Sequence, residues 1–74
     1  MKNDFTIKDA FLLEVQATLE SDYGLNEKTA KNLTDFSTSV SQYADIAEKT
    51  NELNYKNVEQ ASKDAIEVHR KYGR

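Results

Sequence analysis

A chain of 74 residues is long enough for one small domain, whose core rarely supplies more than about 3–5 kcal/mol of stability without disulfides, metal ions or oligomerisation. It contains no cysteine, which excludes disulfides and thiolate metal sites, and its net charge of -3 differs from the basic character of most nucleic-acid-binding domains. No stretch approaches the roughly 18 apolar residues of a membrane helix and the first residues do not resemble a secretory signal, so we expect a cytoplasmic protein without membrane contact.

The first predicted helix begins near Ile7. Thr6 and Asp9 have the spacing of a capping box, with Asp in place of the usual Glu. Gly24, which adopts the left-handed conformation readily, predicts that the helix ends at about Tyr23. Five apolar residues between positions 7 and 23 fall within one arc of a helical wheel, which predicts an amphipathic helix, although Leu13 lies outside this arc. The five residues within the arc are Ile7, Phe11, Leu12, Val15 and Leu19.

The second predicted helix begins after Asn26, a good N-cap residue, with Glu27 in its first turn. From this point small or apolar residues recur at heptad spacing, which is the pattern that packs one face of a helix against another helix. We call these residues the seam. The seam consists of Ala30, Leu33, Val40, Ala44, Ala47, Val58, Ala61, Ala65, Val68 and Tyr72.

The main ambiguity concerns the asparagine-rich residues 51–57. Acidic residues precede lysines by four positions throughout this region, as in Glu52 and Lys56, and such pairs favour a continuous helix. A continuous helix would be about 69 Å long, however, and one short partner helix would cover only part of it. We therefore predict a turn near Leu53–Asn54 and an all-α, small three-helix bundle with helices at about 7–23, 27–52 and 55–72. The alternative is a short helix plus one long helix forming a coiled-coil dimer.

Catalytic motifs are absent from the sequence. His69 is the only histidine, and Tyr72 is the only polar partner at helical spacing from it. Its position favours a simpler role, as a cation near a helix C-terminus. We therefore predict no catalytic, cofactor-binding or metal-binding residues and no enzymatic activity.

Aromatic and aliphatic residues beside the seam are the candidate functional residues. The first helix is expected to cover Phe36, Tyr43 and Ile46, and any of this group that stays exposed would form a partner-binding strip. The predicted partner-binding residues are Phe36, Tyr43, Ile46, Leu53 and Tyr55.

These features predict a small non-catalytic protein–protein interaction or regulatory module that acts through a helix face. The expected partner is another protein, including a second copy of the chain in a homodimer. The alternative is nucleic-acid binding through the basic segment His69–Arg74 and a row of cations, which the acidic net charge disfavours. That row is Lys49, Lys56, Lys63 and Arg70.

Overall fold

The computed structural model describes residues 5–72, which form four helices: α1 (Ile7–Ser21), α2 (Glu27–Phe36), α3 (Thr38–Thr50) and α4 (Tyr55–Tyr72). α1 packs against each of the other three, and α3 also packs along α4. Among the described residues there is no strand, and none of the helices combines the length and apolar character that a membrane crossing needs. The predicted small all-α helical bundle is confirmed.

Both ends of α1 follow from local chemistry. The Thr6 hydroxyl accepts a hydrogen bond from the Asp9 N–H at 3.1 Å, and the Asp9 carboxylate accepts one from the Thr6 N–H at 3.1 Å, which completes the predicted capping box. After the helix ends at Ser21, Gly24 takes the predicted left-handed conformation with φ of 69°. The Leu25 N–H then donates to the Leu19 carbonyl at 3.2 Å, so the chain folds back on the end of α1.

The predicted helix over residues 27–52 is divided into α2 and α3 at Ser37. This single residue is extended, with ψ of 126°, and its N–H donates to the Leu33 carbonyl at 3.0 Å as the C-cap of α2. Its hydroxyl also accepts from the Val40 N–H at 3.3 Å as the N-cap of α3. Because one serine serves both helix ends, the chain changes direction without a loop. The sequence predicted a helix through this position, and the structure corrects that prediction.

The predicted turn near Leu53–Asn54 is confirmed, and the single long helix of the alternative fold is not found. Asn51 is left-handed with φ of 54°, and the Glu52 N–H donates to the Ala47 carbonyl at 3.1 Å to close α3. The Asn54 side-chain oxygen accepts from the Lys56 N–H at 2.9 Å and thereby caps the start of α4. The asparagines therefore end one helix and begin the next.

We expect Asn54→Ala to lower the free energy of unfolding by about 1 kcal/mol, and Asn54→Gly by only a few tenths, because glycine is tolerated at an N-cap and alanine is not. Urea denaturation followed by circular dichroism measures both values. Glu59→Ala, on the exposed face of α4, is the control and should change stability by less than about 0.5 kcal/mol. A more stable Asn54→Ala variant would show that α3 and α4 join as one helix in solution.

The core combines large side chains on α1 with several alanines on the other helices. Phe11, Val15 and Leu19 are each 0% exposed and project from successive turns of α1. Five of the eleven buried hydrophobic residues are alanine, which allows the surrounding helices to approach one another closely. The residues buried on the other helices are Ala30, Val40, Ala44, Ala47, Val58, Ala61, Ala65 and Ile66.

Two buried hydroxyls lie among these alanines. The Thr34 hydroxyl donates to the Ala30 carbonyl at 2.8 Å, and the Ser62 hydroxyl donates to the Val58 carbonyl at 2.8 Å. Both hydrogen bonds stay within one helix, one turn back, so each buried oxygen is satisfied without a partner on another helix. The two residues therefore behave as small core residues.

A surface ion pair joins α1 to α3. Lys8 Nζ lies 3.0 Å from Asp45 Oδ1, and the hydrogen bond and charge of Asp45 raise the pKa of Lys8 above 10.5. Because the pKa of Lys8 is raised in the folded state, the stabilisation that protonated Lys8 gives is complete below pH 10.5. It is lost as the pH rises through the raised pKa. Both side chains are exposed to solvent, so the pair contributes little to the stability of the fold.

Candidate partner-binding surface

The predicted partner-binding residues lie in three different environments. Tyr43 and Leu53 are half-buried and pack against the core. Ile46 and Tyr55 are 44% and 59% exposed, on α3 and at the start of α4. Phe36 is 82% exposed. The expectation that α1 covers Phe36 and Ile46 is therefore wrong, and the five residues do not form one strip.

A shallow groove lies between the end of α2 and the last turns of α4, and we call it the α2–α4 groove. Its side chains are mostly apolar, and three of them are strongly exposed: Phe36, Val68 at 55% and Tyr72 at 72%. The complete lining is Leu33, Phe36, Ser37, Ala65, Val68, His69 and Tyr72. Of the predicted residues, only Phe36 belongs to it.

The groove exists because the seam of α4 is longer than the part of the bundle that covers it. Val58, Ala61 and Ala65 are buried as predicted, but Val68 and Tyr72, one heptad step further along the same face, are exposed. α2 ends at Phe36, and the break at Ser37 turns the chain into α3. The last apolar residues of α4 therefore face solvent beside the last apolar residues of α2.

Hydrogen bonds fix the position of α3 beside this groove. The Ser39 hydroxyl donates to the Asp64 carboxylate at 2.8 Å, and the Gln60 amide donates to the other oxygen of the same carboxylate at 2.9 Å. Asp64 thus receives one hydrogen bond from α3 and one from α4. Since Ser39 is only two residues after the break, this contact joins the start of α3 to α4 close to the α2–α3 junction.

The last turn of α4 is basic. Arg70 and Lys71 follow His69 in the last turn of α4, where the charges of these two residues offset the partial negative charge of the helix C-terminus. Arg70 and Lys71 are exposed, and Lys71 Nζ lies 5.9 Å from the centre of the Tyr72 ring. Glu67 is the nearest acidic residue in the sequence. Neither Arg70 nor Lys71 belongs to the lining of the α2–α4 groove, and Arg70 lines a separate depression with Tyr23 and Lys63.

The row of cations proposed as the alternative nucleic-acid site is interrupted. Lys49 belongs to α3, whereas the other three residues belong to α4 on the far side of the turn. Lys56 and Lys63 line a second groove, between α1 and α4, together with Asp22 and Glu59. The acidic side chains of this second groove reduce the positive potential that a phosphate backbone requires.

His69 is half-buried at the edge of the α2–α4 groove. Within residues 5–72, no three His, Asp or Glu side chains are grouped so that they could hold a metal ion. His69 lies in the last turn of α4, and its role as a helix-end cation stays a prediction.

Of the seven lining residues the sequence predicted only Phe36. Four of the other six were assigned to the seam and hence to the core, namely Leu33, Ala65, Val68 and Tyr72. The length of the seam could have identified the exposed residues among them. The seam extends to Tyr72, whereas the short first helix covers only part of its length. The end of such a seam is where uncovered apolar residues are expected.

Neither a protein-family model, nor a curated protein, nor a solved structure matches this chain.

Proposed function

We propose that the chain is a non-catalytic binding module that recognises another protein through the α2–α4 groove. The observation that carries this proposal is the grouping of Phe36, Val68 and Tyr72, all more than half exposed, around one groove formed by two helices. Single exposed apolar residues are normal on protein surfaces. A contiguous apolar surface between helices is the usual docking site for a partner segment.

The composition of the groove supports this proposal. Two of its exposed residues, Phe36 and Tyr72, are aromatic, and large aromatic side chains supply much of the binding energy in protein interfaces. Ala65, by contrast, is buried and small, so it forms a floor between the two walls. Ser37 caps both neighbouring helices, and Phe36 precedes it as the last residue of α2.

Selection from a displayed library of helical peptides tests this proposal. We expect the wild-type chain to enrich peptides that bind it, and Phe36→Ser to weaken that binding at least about tenfold, the effect typical of a central aromatic contact. Because Phe36 is exposed, this variant should keep its stability within about 0.5 kcal/mol of the wild type. Ile46→Ser, which removes an exposed apolar side chain from α3, is the matched control and should bind normally. Equal binding by both variants would exclude the groove.

Nucleic-acid binding through His69–Arg74 and the row of cations is the weaker proposal, because the row is divided between two helices and interleaved with acidic residues. Retention on heparin at low salt distinguishes the two proposals, since phosphate contacts are strongly dependent on salt. A protein-binding module should pass through the column. The cytoplasmic location stays a prediction.

A further inference from the structure

We propose that the chain forms a domain-swapped dimer, in which residues 51–54 become helical and α4 of each copy takes the place of α4 in the other copy. We call residues 51–54 the α3–α4 turn. Outside this turn, the dimer would contain the same helix contacts as the monomer, so the turn decides between the two forms. The swap itself does not depend on the proposed function.

The seam keeps its heptad register across the α3–α4 turn. Ala44 and Ala47 are buried on α3, and Val58 and Ala61 are buried on α4, two heptads further along the chain. A turn that only joins two helices needs no such register, because each helix can rotate about its own axis. Since the register is kept, one helix over residues 38–72 would present both buried faces on the same side. Its two halves could then pack into two bundles that lie end to end.

The exposed face shows the same continuity. Glu52 lies in the turn and Lys56 lies in α4, four positions later, in the acidic-first order that stabilises a helix. The same spacing recurs one heptad to either side, in the pairs Asp45 with Lys49 and Glu59 with Lys63. Glu52 and Lys56 can form this helical pair only where α3 and α4 are continuous.

The α3–α4 turn is short and is held by local interactions. Among residues 5–72, Asn51 is the one non-glycine residue with a positive φ, at 54°, and most residues are less stable in this left-handed conformation than in a helix. Leu53 is the only half-buried residue of the turn, and the other three are exposed. Straightening the turn therefore disturbs one apolar contact. Short hinges of this kind favour domain swapping.

The hydrogen bond between Ser39 and Asp64 locates the symmetry axis of the dimer. In the swapped form, Ser39 of one copy would donate to Asp64 of the other, so the positions midway between them would lie at the two-fold axis. That midpoint falls between Asn51 and Glu52. The Asn51 side chains of the two copies would therefore lie beside the axis, where their amides can hydrogen-bond to each other. A polar pair within an apolar seam is one way in which helix pairs fix their register.

The swap would also change how the α2–α4 groove is built. Each groove would combine Phe36 of one copy with Val68 and Tyr72 of the other, and the dimer would carry two grooves. Two linked grooves bind a partner with two matching segments more tightly than one groove does. This consequence, unlike the swap, rests on the proposed function.

Pulsed electron paramagnetic resonance measures the swap directly. Because the chain has no cysteine, Gln42→Cys with Lys63→Cys attaches spin labels at just two exposed positions, one on α3 and one on α4. The labelled chain is refolded from urea at millimolar concentration with an excess of unlabelled chain, and the dimer is isolated by gel filtration. We expect the two labels of one chain to lie about 31 Å apart in the dimer, as one continuous helix requires. In the monomer they should be separated by roughly the 10 Å between neighbouring helix axes.

Substitutions at Asn51 should shift the equilibrium in opposite directions. Asn51→Ala favours the helix over the left-handed turn and should tighten dimerisation at least about tenfold, whereas Asn51→Gly favours the turn and should weaken it at least about tenfold. Sedimentation equilibrium after refolding measures both dissociation constants. Glu59→Ala and Glu59→Gly change a position that is helical in both forms, so these controls should leave the dissociation constant within about threefold of the wild-type value.

Three results would overturn the swap. The first is a dimer whose labels stay at the short distance or that is lost in Phe36→Ser, because the copies would then associate through the α2–α4 groove. The second is a monomeric state of both the wild type and Asn51→Ala at millimolar concentration. The third is equal dimerisation of Asn51→Ala and Asn51→Gly. None of these results depends on peptide binding, so the proposed function stands or fails separately in the library selection.

Discussion

Phe11→Ala is expected to leave much of the chain unfolded at room temperature. Phe11 is 0% exposed and is the largest fully buried side chain in the described residues. Its replacement by alanine removes buried apolar surface and leaves a cavity, which together cost about 3–5 kcal/mol. A core of this size supplies about the same amount in total. The helix signal in circular dichroism should therefore fall before any urea is added.

Leu13→Ala is the matched control for this experiment. Leu13 lies two positions from Phe11 on the same helix, but it is 55% exposed, and the substitution preserves helix propensity. We expect it to lower the free energy of unfolding by less than about 1 kcal/mol, and the urea transition to stay cooperative. Similar losses for the two variants would show that α1 does not bury the face that contains Phe11.

Local signals were sufficient to predict most of the helix ends. Thr6 and Asp9, Gly24, Asn26 and Asn54 each act through a hydrogen bond or a backbone angle that depends only on nearby residues. Such interactions form in the same way whatever the helix packs against. The two correct N-caps and the correct turn before α4 were therefore readable from the sequence.

The break at Ser37 was not predictable in the same way. Residues 34–41 contain several poor helix formers. Their low helix propensity destabilises a helix over the whole stretch, but it does not identify the residue at which the helix ends. The break also depends on where α3 packs, since Ser39 contacts Asp64 on α4 at 2.8 Å. That contact spans 25 positions in the sequence and carries no local signal.

The candidate site was predicted only in part for the same reason. Heptad spacing identifies which face of α4 is apolar, but it does not show where the covering helices end. Val68 and Tyr72 satisfy the spacing as well as Ala65 does, yet only Ala65 is buried. Phe36, one of the predicted partner-binding residues, is exposed and lines the groove, but its role in binding stays a prediction.

Ala61→Leu is expected to lower the free energy of unfolding by about 1–3 kcal/mol, although leucine forms helices nearly as well as alanine. Ala61 is 0% exposed within a core of small residues, so a larger side chain must displace a neighbouring helix or adopt a strained rotamer. Urea denaturation measures the change.

Glu59→Leu introduces the same side chain two positions earlier on the exposed face of α4 and is the control for Ala61→Leu. The added side chain extends into solvent, so the free energy of unfolding of Glu59→Leu should stay within about 0.5 kcal/mol of the wild-type value. A stability loss confined to Ala61→Leu would show that the buried alanines allow close approach of the helices. An Ala61→Leu variant as stable as the wild type would mean that the space around α4 is loosely filled. It would contradict the inference that close packing at Ala65 shapes the floor of the α2–α4 groove.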